Sequence, residues 1–417
     1  MRHFRYGPRG ERVRIQSFKM ERWQSLHDHE VECNLSESGV HPMRLEELVD
    51  DSAELKRLMS LDLAYPHTNG SPELRDHIAG FYPGATRDNV LVTCGGAEAN
   101  YLAFWTLLEK GDRVAVEIPN YMQTVGLARA FGRGVDPFRL RRTRDASRWA
   151  LDVDSLNRAV TKKTRIILIT NPNNPTGAIL TEAETDAVVL AARRSGAWIV
   201  ADEIYRGAEL SGRLTPSFWG RHRKVIITAG LSKAFGLPGL RIGWLLAPAK
   251  VIPSLWSHKD YTTIAPSLPS DRLAAVAMEP SRRERIFERS RTILHANLPL
   301  LEKWIRNHDD LFEHTPPEAG AIALLRYHLP TGSAALAEKL RRDRSVLVVA
   351  GEHCGLSGHL RIGYGSPPET LMKGLAGIDL TLAELRKKLP ARRRALIRDS
   401  ATAANGPRDS SLARPLR

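Results

Sequence analysis

Cysteine is scarce in this chain: Cys33, Cys94 and Cys354 are the only three in 417 residues, odd in number and far apart. With no CxxC pair and no spaced histidines beside them, they exclude a disulfide framework and offer no metal-ligand spacing. Long apolar runs are missing as well. No stretch approaches the roughly 18 to 20 uninterrupted apolar residues of a membrane span, and the start, Met1-Arg-His-Phe-Arg-Tyr-Gly, is basic without the apolar centre of a secretory leader. The expected address is the cytoplasm, with no membrane partner. Internal repeats are absent, and low complexity is confined to the C-terminal tail.

Positive charge is plentiful, and its position decides what it means. Between Arg386 and Arg417 stand ten Lys or Arg against Asp399 and Asp409, a net +8 of the chain's +14. This tail has few large apolar residues beyond Leu396 and Ile397, so it reads as a solvated, disordered extension. Neither end carries a helix-turn-helix module, and no specific nucleic-acid partner is expected.

The rest of the chain has the makings of a sizeable core, with 42% hydrophobic and 26% charged residues overall. Short apolar runs recur between helical patterns at Val90 to Thr93, Arg113 to Glu117, Val135 to Leu140, Arg165 to Thr170, Ala197 to Ala201, Lys224 to Ala229 and Arg241 to Ala247. Such alternation predicts an α/β fold: a mostly parallel, seven-stranded sheet between helices. Helical spacing marks Ala97 to Leu108, Tyr121 to Phe131, Leu151 to Val160 and Thr181 to Arg194, the last opening on a Thr181/Glu184 capping box. A long charged helix near Pro280 to Asn307 leads to short strands at Ala321 to Tyr327, Ser345 to Val349 and His359 to Ile362, then to a closing helix around Pro368 to Lys388. The expected divisions are an arm at 1–45, a large domain at 46–290, a small α+β domain at 291–388 and the basic tail at 389–417. Within the arm, Phe18 to Val31 is amphipathic, and Asn34 to Pro42 is turn-rich with no evident strand partner.

Three polar islands sit at the carboxyl ends of buried strands, where open α/β sheets bind ligands. Lys233 is a lone lysine among small residues in Thr228-Ala-Gly-Leu-Ser-Lys-Ala-Phe-Gly236, a candidate Schiff-base nucleophile. An aldehyde cofactor on it acts as an electron sink only if its ring nitrogen stays protonated, which the carboxylate of Asp202 can ensure. Asn174, in Asn171-Pro-Asn-Asn-Pro-Thr-Gly177, and Tyr205, in Asp202-Glu-Ile-Tyr205, can donate to the ring oxygen. Gly95, Gly96 and Ala97 follow a strand and open a helix, where bare amides hold phosphate; Ser232 and Arg241 can close that cradle. Tyr121 is placed to stack on the ring. As a base, Lys233 must be neutral, a state that burial and a nearby Arg241 favour.

These positions together resemble the fold-type I pyridoxal-phosphate enzymes of the class I/II aminotransferase family, over about 34 to 388. The resemblance implies pyridoxal 5′-phosphate on Lys233, catalytic roles for Lys233, Asp202 and Tyr205, and amino-acid and 2-oxo-acid substrates. It further implies that Arg361, in His359-Leu-Arg-Ile-Gly363, clamps the substrate carboxylate, that Gly39 passes the substrate, and that Tyr65 reaches the phosphate of a neighbouring subunit in a homodimer.

Two departures stand out. The position three before the lysine, often Ser or Thr in the family, is Gly230. The segment Ser36-Glu-Ser-Gly-Val-His41 departs from the family's usual apolar-Gly-acidic-Pro pattern and resembles the Ser-Ser-Gly-Val-His segment of the capreomycidine synthases, which implies an alternative: elimination and cyclisation, or oxidation, of a hydroxyarginine-like amino acid. In that reading Glu37 pairs with a substrate cation and His41 moves protons.

Overall fold

The computed structural model describes residues 15–387; the first 14 residues and the chain from 388 on, including the basic tail, lie outside the described range. Short runs of Val and Ile buried on both faces assemble into one sheet, as β-branched residues on a covered pleat should. Its strands follow in space the order Val90–Thr93, Gly243–Leu246, Val225–Gly230, Trp198–Asp202, Thr164–Thr170, Arg113–Ile118, Gly134–Arg142, Trp149–Leu151. The five strands from Val225–Gly230 to Gly134–Arg142 pair in parallel, and Gly243–Leu246 runs against both of its neighbours.

All seven expected strands are present, and an eighth, Trp149–Leu151, extends the edge by pairing antiparallel with the end of Gly134–Arg142. Three residues are too few to show a period, so this strand left no pattern in the sequence. Leu151 therefore closes a strand, and the helix expected from it begins at Val153 behind an Asp152 cap that accepts from Ser155 N at 2.9 Å.

Alternate residues of each strand face opposite sides. Val114, Val116, Ile166, Leu168 and Ile226 pack against the helices Gly96–Leu107, Gln123–Phe131 and Ile252–Lys259. Ala115, Ile167, Ile169, Ile199 and Ile227 pack on the other face with Leu74, Ile78, Leu156 and Val188. The capping box forms as expected: Thr181 Oγ1 accepts from Glu184 N at 3.2 Å, and Glu184 Oε2 accepts from Thr181 N at 2.8 Å.

A second sheet holds four antiparallel strands in the order Phe312–Glu313, Ile322–Tyr327, His359–Gly363, Val349–Ala350. The helix Pro280–Arg306 leads to it and runs unbroken through residue 290. The single strand expected over Ser345 to Val349 is split. Val349–Ala350 joins the four-stranded sheet, whereas Val346–Leu347 pairs in parallel with Cys33–Asn34 of the arm. The arm thus has the strand partner its sequence did not reveal, more than 300 residues away.

Beyond that pairing the arm runs along His359–Gly363, where Gly363 N donates to Leu35 O at 2.7 Å. A Cβ at Gly363 would lie 1.9 Å from Glu37 O, so this approach requires glycine. Ahead of it, the helix Lys19–His27 lies over the small sheet: Met20 is buried, and Trp23 Nε1 donates to Val348 O at 2.9 Å. No helix among the described residues is long and apolar enough to cross a membrane.

Candidate active site

The carboxyl ends of Thr164–Thr170, Trp198–Asp202 and Val225–Gly230 open onto a cavity of about 660 Å³, closed on its other side by the arm and by Arg361 of the small sheet. This is where a sheet of this type concentrates ligand-binding groups. Lys233 stands just beyond Val225–Gly230, and its Nζ lies 3.2 Å from Glu37 Oε2. Burial, the largest single effect, pushes the Lys233 ammonium down, but Glu37 and Tyr205 together raise it by more, and the net shift is upward. The expected neutral lysine is therefore not what this arrangement favours. Arg241 does not supply the expected depression; its guanidinium is engaged at Gly95 and with Pro238 O at 3.0 Å.

Asp202 is the last residue of its strand and is buried. Its carboxylate accepts from Asn100 Nδ2 at 3.1 Å and from Ile204 N at 3.2 Å, with no ion pair among the described residues. Burial pushes its pKa up to about 6 despite both donors. Asn100 is aimed by Thr228, whose hydroxyl donates to Asn100 Oδ1 at 2.7 Å. The sequence reading missed Asn100, although a lone amide in the apolar helix Gly96–Leu107 was a usable signal, because a buried amide must find partners.

A chain of hydrogen bonds ties the small sheet to the large one. Arg361 Nη1 donates to Asn174 Oδ1 at 3.0 Å, Asn174 Nδ2 to Tyr205 OH at 3.0 Å, and Tyr205 OH to Ser38 Oγ at 2.8 Å. Arg361 also donates to Ser36 O, and its buried Nε has no partner among the described residues. Ser38 was not foreseen, since nothing in Ser36-Glu-Ser-Gly distinguishes its hydroxyl from that of Ser36.

The helix Gly96–Leu107 points its amino end into the cavity, with Gly96 and Ala97 in the wall. Gly95 precedes it at φ 83°, and a Cβ there would meet Arg241 Nη2 at 2.7 Å. Amides, guanidinium and the Ser232 side of the wall thus surround one corner. At Gly230 a Cβ would lie 3.0 Å from Ile242 O and 3.4 Å from Gly96 N, so the position abuts this corner without a hydroxyl to offer.

Tyr121 lines the cavity and donates its hydroxyl to Glu21 Oε1 at 2.8 Å, while Phe18 packs edge-on against its ring with centroids 4.7 Å apart. Gly39 lines the wall beside Lys233. His41 also lines it, but its Nδ1 faces Arg289 Nη2 at 3.3 Å, and burial together with that cation pushes its pKa down. Tyr65 alone of the expected residues stands apart, 89% exposed on the surface of the single chain. The helix Lys19–His27, which brings Met20, Glu21 and Gln24 to the cavity, carried no functional signal in the sequence.

Comparison with known proteins agrees with this arrangement. The family model "Aminotransferase class I and II" matches residues 34–378. Capreomycidine synthase from Streptomyces vinaceus is 31% identical over 373 residues, 86% of this chain and 92% of that protein. Among solved structures, a PLP-dependent aminotransferase from Streptococcus suis superposes with a TM-score of 0.82 at 28% identity, covering 89% of this chain and 99% of that one. The PLP-dependent cyclase OrfR does so with a TM-score of 0.79 at 28% identity, covering 91% and 99%. A match that spans both sheets and the helix between them, shared with solved structures of the same fold, makes this chain a member of the class I and II aminotransferases, fold-type I enzymes that work with pyridoxal phosphate.

Proposed function

We propose that this protein is a pyridoxal-phosphate-dependent transaminase that moves an amino group between an L-amino acid and a 2-oxo acid, with Lys233 holding the cofactor. The observation that carries this reading is a lysine amine and a buried, cation-free carboxylate, Lys233 and Asp202, on the walls of one cavity. The residues fit the group. Asp202 offers a negative charge that lacks a positive partner, the Gly95–Ala97 amides with Ser232 and Arg241 suit a phosphate, and Asn174 with Tyr205 suits the ring oxygen. When bound, pyridoxal phosphate supplies an electron sink that makes the substrate Cα–H acidic.

The protein's own groups do the rest. Arg361, whose Nε is orphaned, receives the substrate carboxylate in a bidentate grip. Asp202, ionised above about pH 6, keeps the cofactor ring nitrogen protonated. Glu37, 3.2 Å from Lys233 Nζ, pairs with the lysine as an ammonium, so the proton that the amine sheds before it acts as nucleophile or base passes to solvent and Glu37 stays ionised. Once displaced by the substrate amine, Lys233 Nζ would take the proton from the substrate Cα and deliver it to the C4′ carbon of the cofactor, the transfer that moving the amino group requires. The reading includes a homodimer in the cytoplasm, in which the exposed Tyr65 reaches the phosphate corner of the other subunit.

Borohydride treatment of cofactor-loaded protein tests it: a pyridoxyl mass is expected on the Lys233 peptide, together with amine transfer to 2-oxoglutarate. Lys233→Ala should lose the label and at least about 10³-fold in turnover. An unlabelled Lys233 peptide ends the proposal.

A second reading keeps every contact and ends in elimination and ring closure on a hydroxyarginine-type amino acid. It is favoured by Glu37, an acid from Ser36-Glu-Ser-Gly-Val-His41 facing Lys233, and by the relatives named as a synthase of capreomycidine and a cyclase. Loss of hydroxyarginine with no amino acceptor present would select it over transamination.

A further inference from the structure

The cavity wall holds three permanent cations, Lys233, Arg241 and Arg361, and, besides Asp202, four carboxylates, Glu21, Asp28, Glu32 and Glu37. On the proposed function every cation is already engaged. Lys233 is consumed by a covalent bond, Arg241 faces the phosphate and Arg361 the substrate carboxylate. None is left for a substrate side chain. The carboxylates divide differently. Glu32 is paired with Lys373 at 2.6 Å, and Asp28 lies 3.8 Å from His29. Glu21 has no ion pair among the described residues and only the Tyr121 hydroxyl as a donor. Among the described residues Glu37 has one ion-pair partner, Lys233, and forfeits it when that amine becomes covalently engaged; the charge of Arg361 also acts on Glu37, and on the proposed function the substrate carboxylate offsets it.

Glu21 and Glu37 belong to one unit. Gln24, one turn after Glu21, donates to both Ser36 O and Ser36 Oγ at 3.0 Å, which ties the helix Lys19–His27 to the segment that carries Glu37. The same Ser36 carbonyl accepts from Arg361, so the unit that presents the two acids also contacts the carboxylate clamp. A loaded site therefore has an anchored positive end and an unneutralised negative wall, and a neutral or acidic side chain would leave both glutamates without a counter-charge.

Resting on that reading of the site, we infer that the substrate is an amino acid whose side chain ends in a cation, a guanidinium or an ammonium, and that Glu21 and Glu37 are the residues that select it. The inference holds for transamination and for cyclisation alike, because it concerns binding before any fate is chosen.

The test is a binding measurement on holoenzyme, by calorimetry and by the change in the bound cofactor's visible band. L-arginine and L-lysine would be compared with the neutral L-citrulline and L-norleucine. At least one cation is expected to bind about tenfold or more tighter than its neutral analogue, and whichever does so identifies guanidinium or ammonium as the recognised group. In Glu21→Gln and in Glu37→Gln that preference should shrink to about threefold or less. Equal binding of cationic and neutral members in the native protein overturns the inference, as does an undiminished preference in both variants. Glu21 touches Tyr121 and not Lys233, so a preference lost in Glu21→Gln while the affinity for pyridoxal phosphate and the resting visible band stay native is not a loss caused at the cofactor. If borohydride leaves Lys233 unlabelled, the reading of the site fails; if it labels Lys233 and no charge preference exists, only this inference does.

Discussion

Asp202 shows how one buried charge carries two opposite energies. Moved from 3.8 to about 6 by burial, its ionised form is destabilised in the fold by about 3 kcal/mol. The sign follows from the raised value: relative to the unfolded chain, the favourable contribution of the protonated acid exists at low pH and is lost as pH rises toward 6. Without cofactor, Asp202→Asn should therefore melt higher than the native protein at pH 8 and show a smaller difference at pH 4. With cofactor the order should reverse, since only the carboxylate compensates a protonated ring nitrogen, and affinity should fall about 10- to 100-fold. Paired thermal melts of both forms at the two pH values, with equilibrium dialysis of pyridoxal phosphate, check both halves. Lys233 and Asp202 were legible from their places after buried strands. The protonation of Lys233 was not, because it depends on how burial is set against Glu37 and Tyr205, and Glu37 lies nearly 200 residues away in the chain.

Among the elements, large-sheet strands such as Thr164–Thr170, Trp198–Asp202 and Val225–Gly230 were readable because they are short, buried, Val/Ile-containing runs followed by turn residues. The arm was not. Its two-residue strand takes its partner from Val346–Leu347, and its path beyond that depends on a side chain being absent at Gly363. Gly363→Ala should displace the arm, with Glu37 and Ser38 on it. Forcing a methyl into a packed backbone contact costs about 1–3 kcal/mol. A lower melting temperature is expected, with amino-acid affinity falling more than affinity for the cofactor, because the phosphate corner belongs to the large sheet. Denaturant melts and separate titrations of the two ligands would show this. Equal losses for both would mean that the arm does not act on the substrate side.

On the scale of the whole molecule, Tyr65 is a large aromatic left 89% exposed beside other exposed apolar side chains, Leu63 at 83% and Met59 at 80%. Such a patch suits contact with a second copy of the chain. If Tyr65 serves the other subunit, Lys233→Ala and Tyr65→Ala chains, each impaired alone, should regain activity when mixed under refolding, since a hybrid dimer contains one site with both native residues. Absence of complementation, with hybrid dimers verified by mass, would place Tyr65 outside the site. The amino-acid sequence alone determined seven of the large sheet's eight strands and the polar residues that stand at their carboxyl ends, because these depend on local burial patterns and on residues within a few positions of a strand end. Tertiary structure alone decided the arm's strand pairing, the Arg361–Asn174–Tyr205–Ser38 hydrogen bonds, the Asn100 support of Asp202, the placing of Glu21 on the cavity wall and the pairing of Glu37 with Lys233. Those contacts join residues tens to hundreds of positions apart, and no periodicity along a chain encodes which of its distant polar groups will meet.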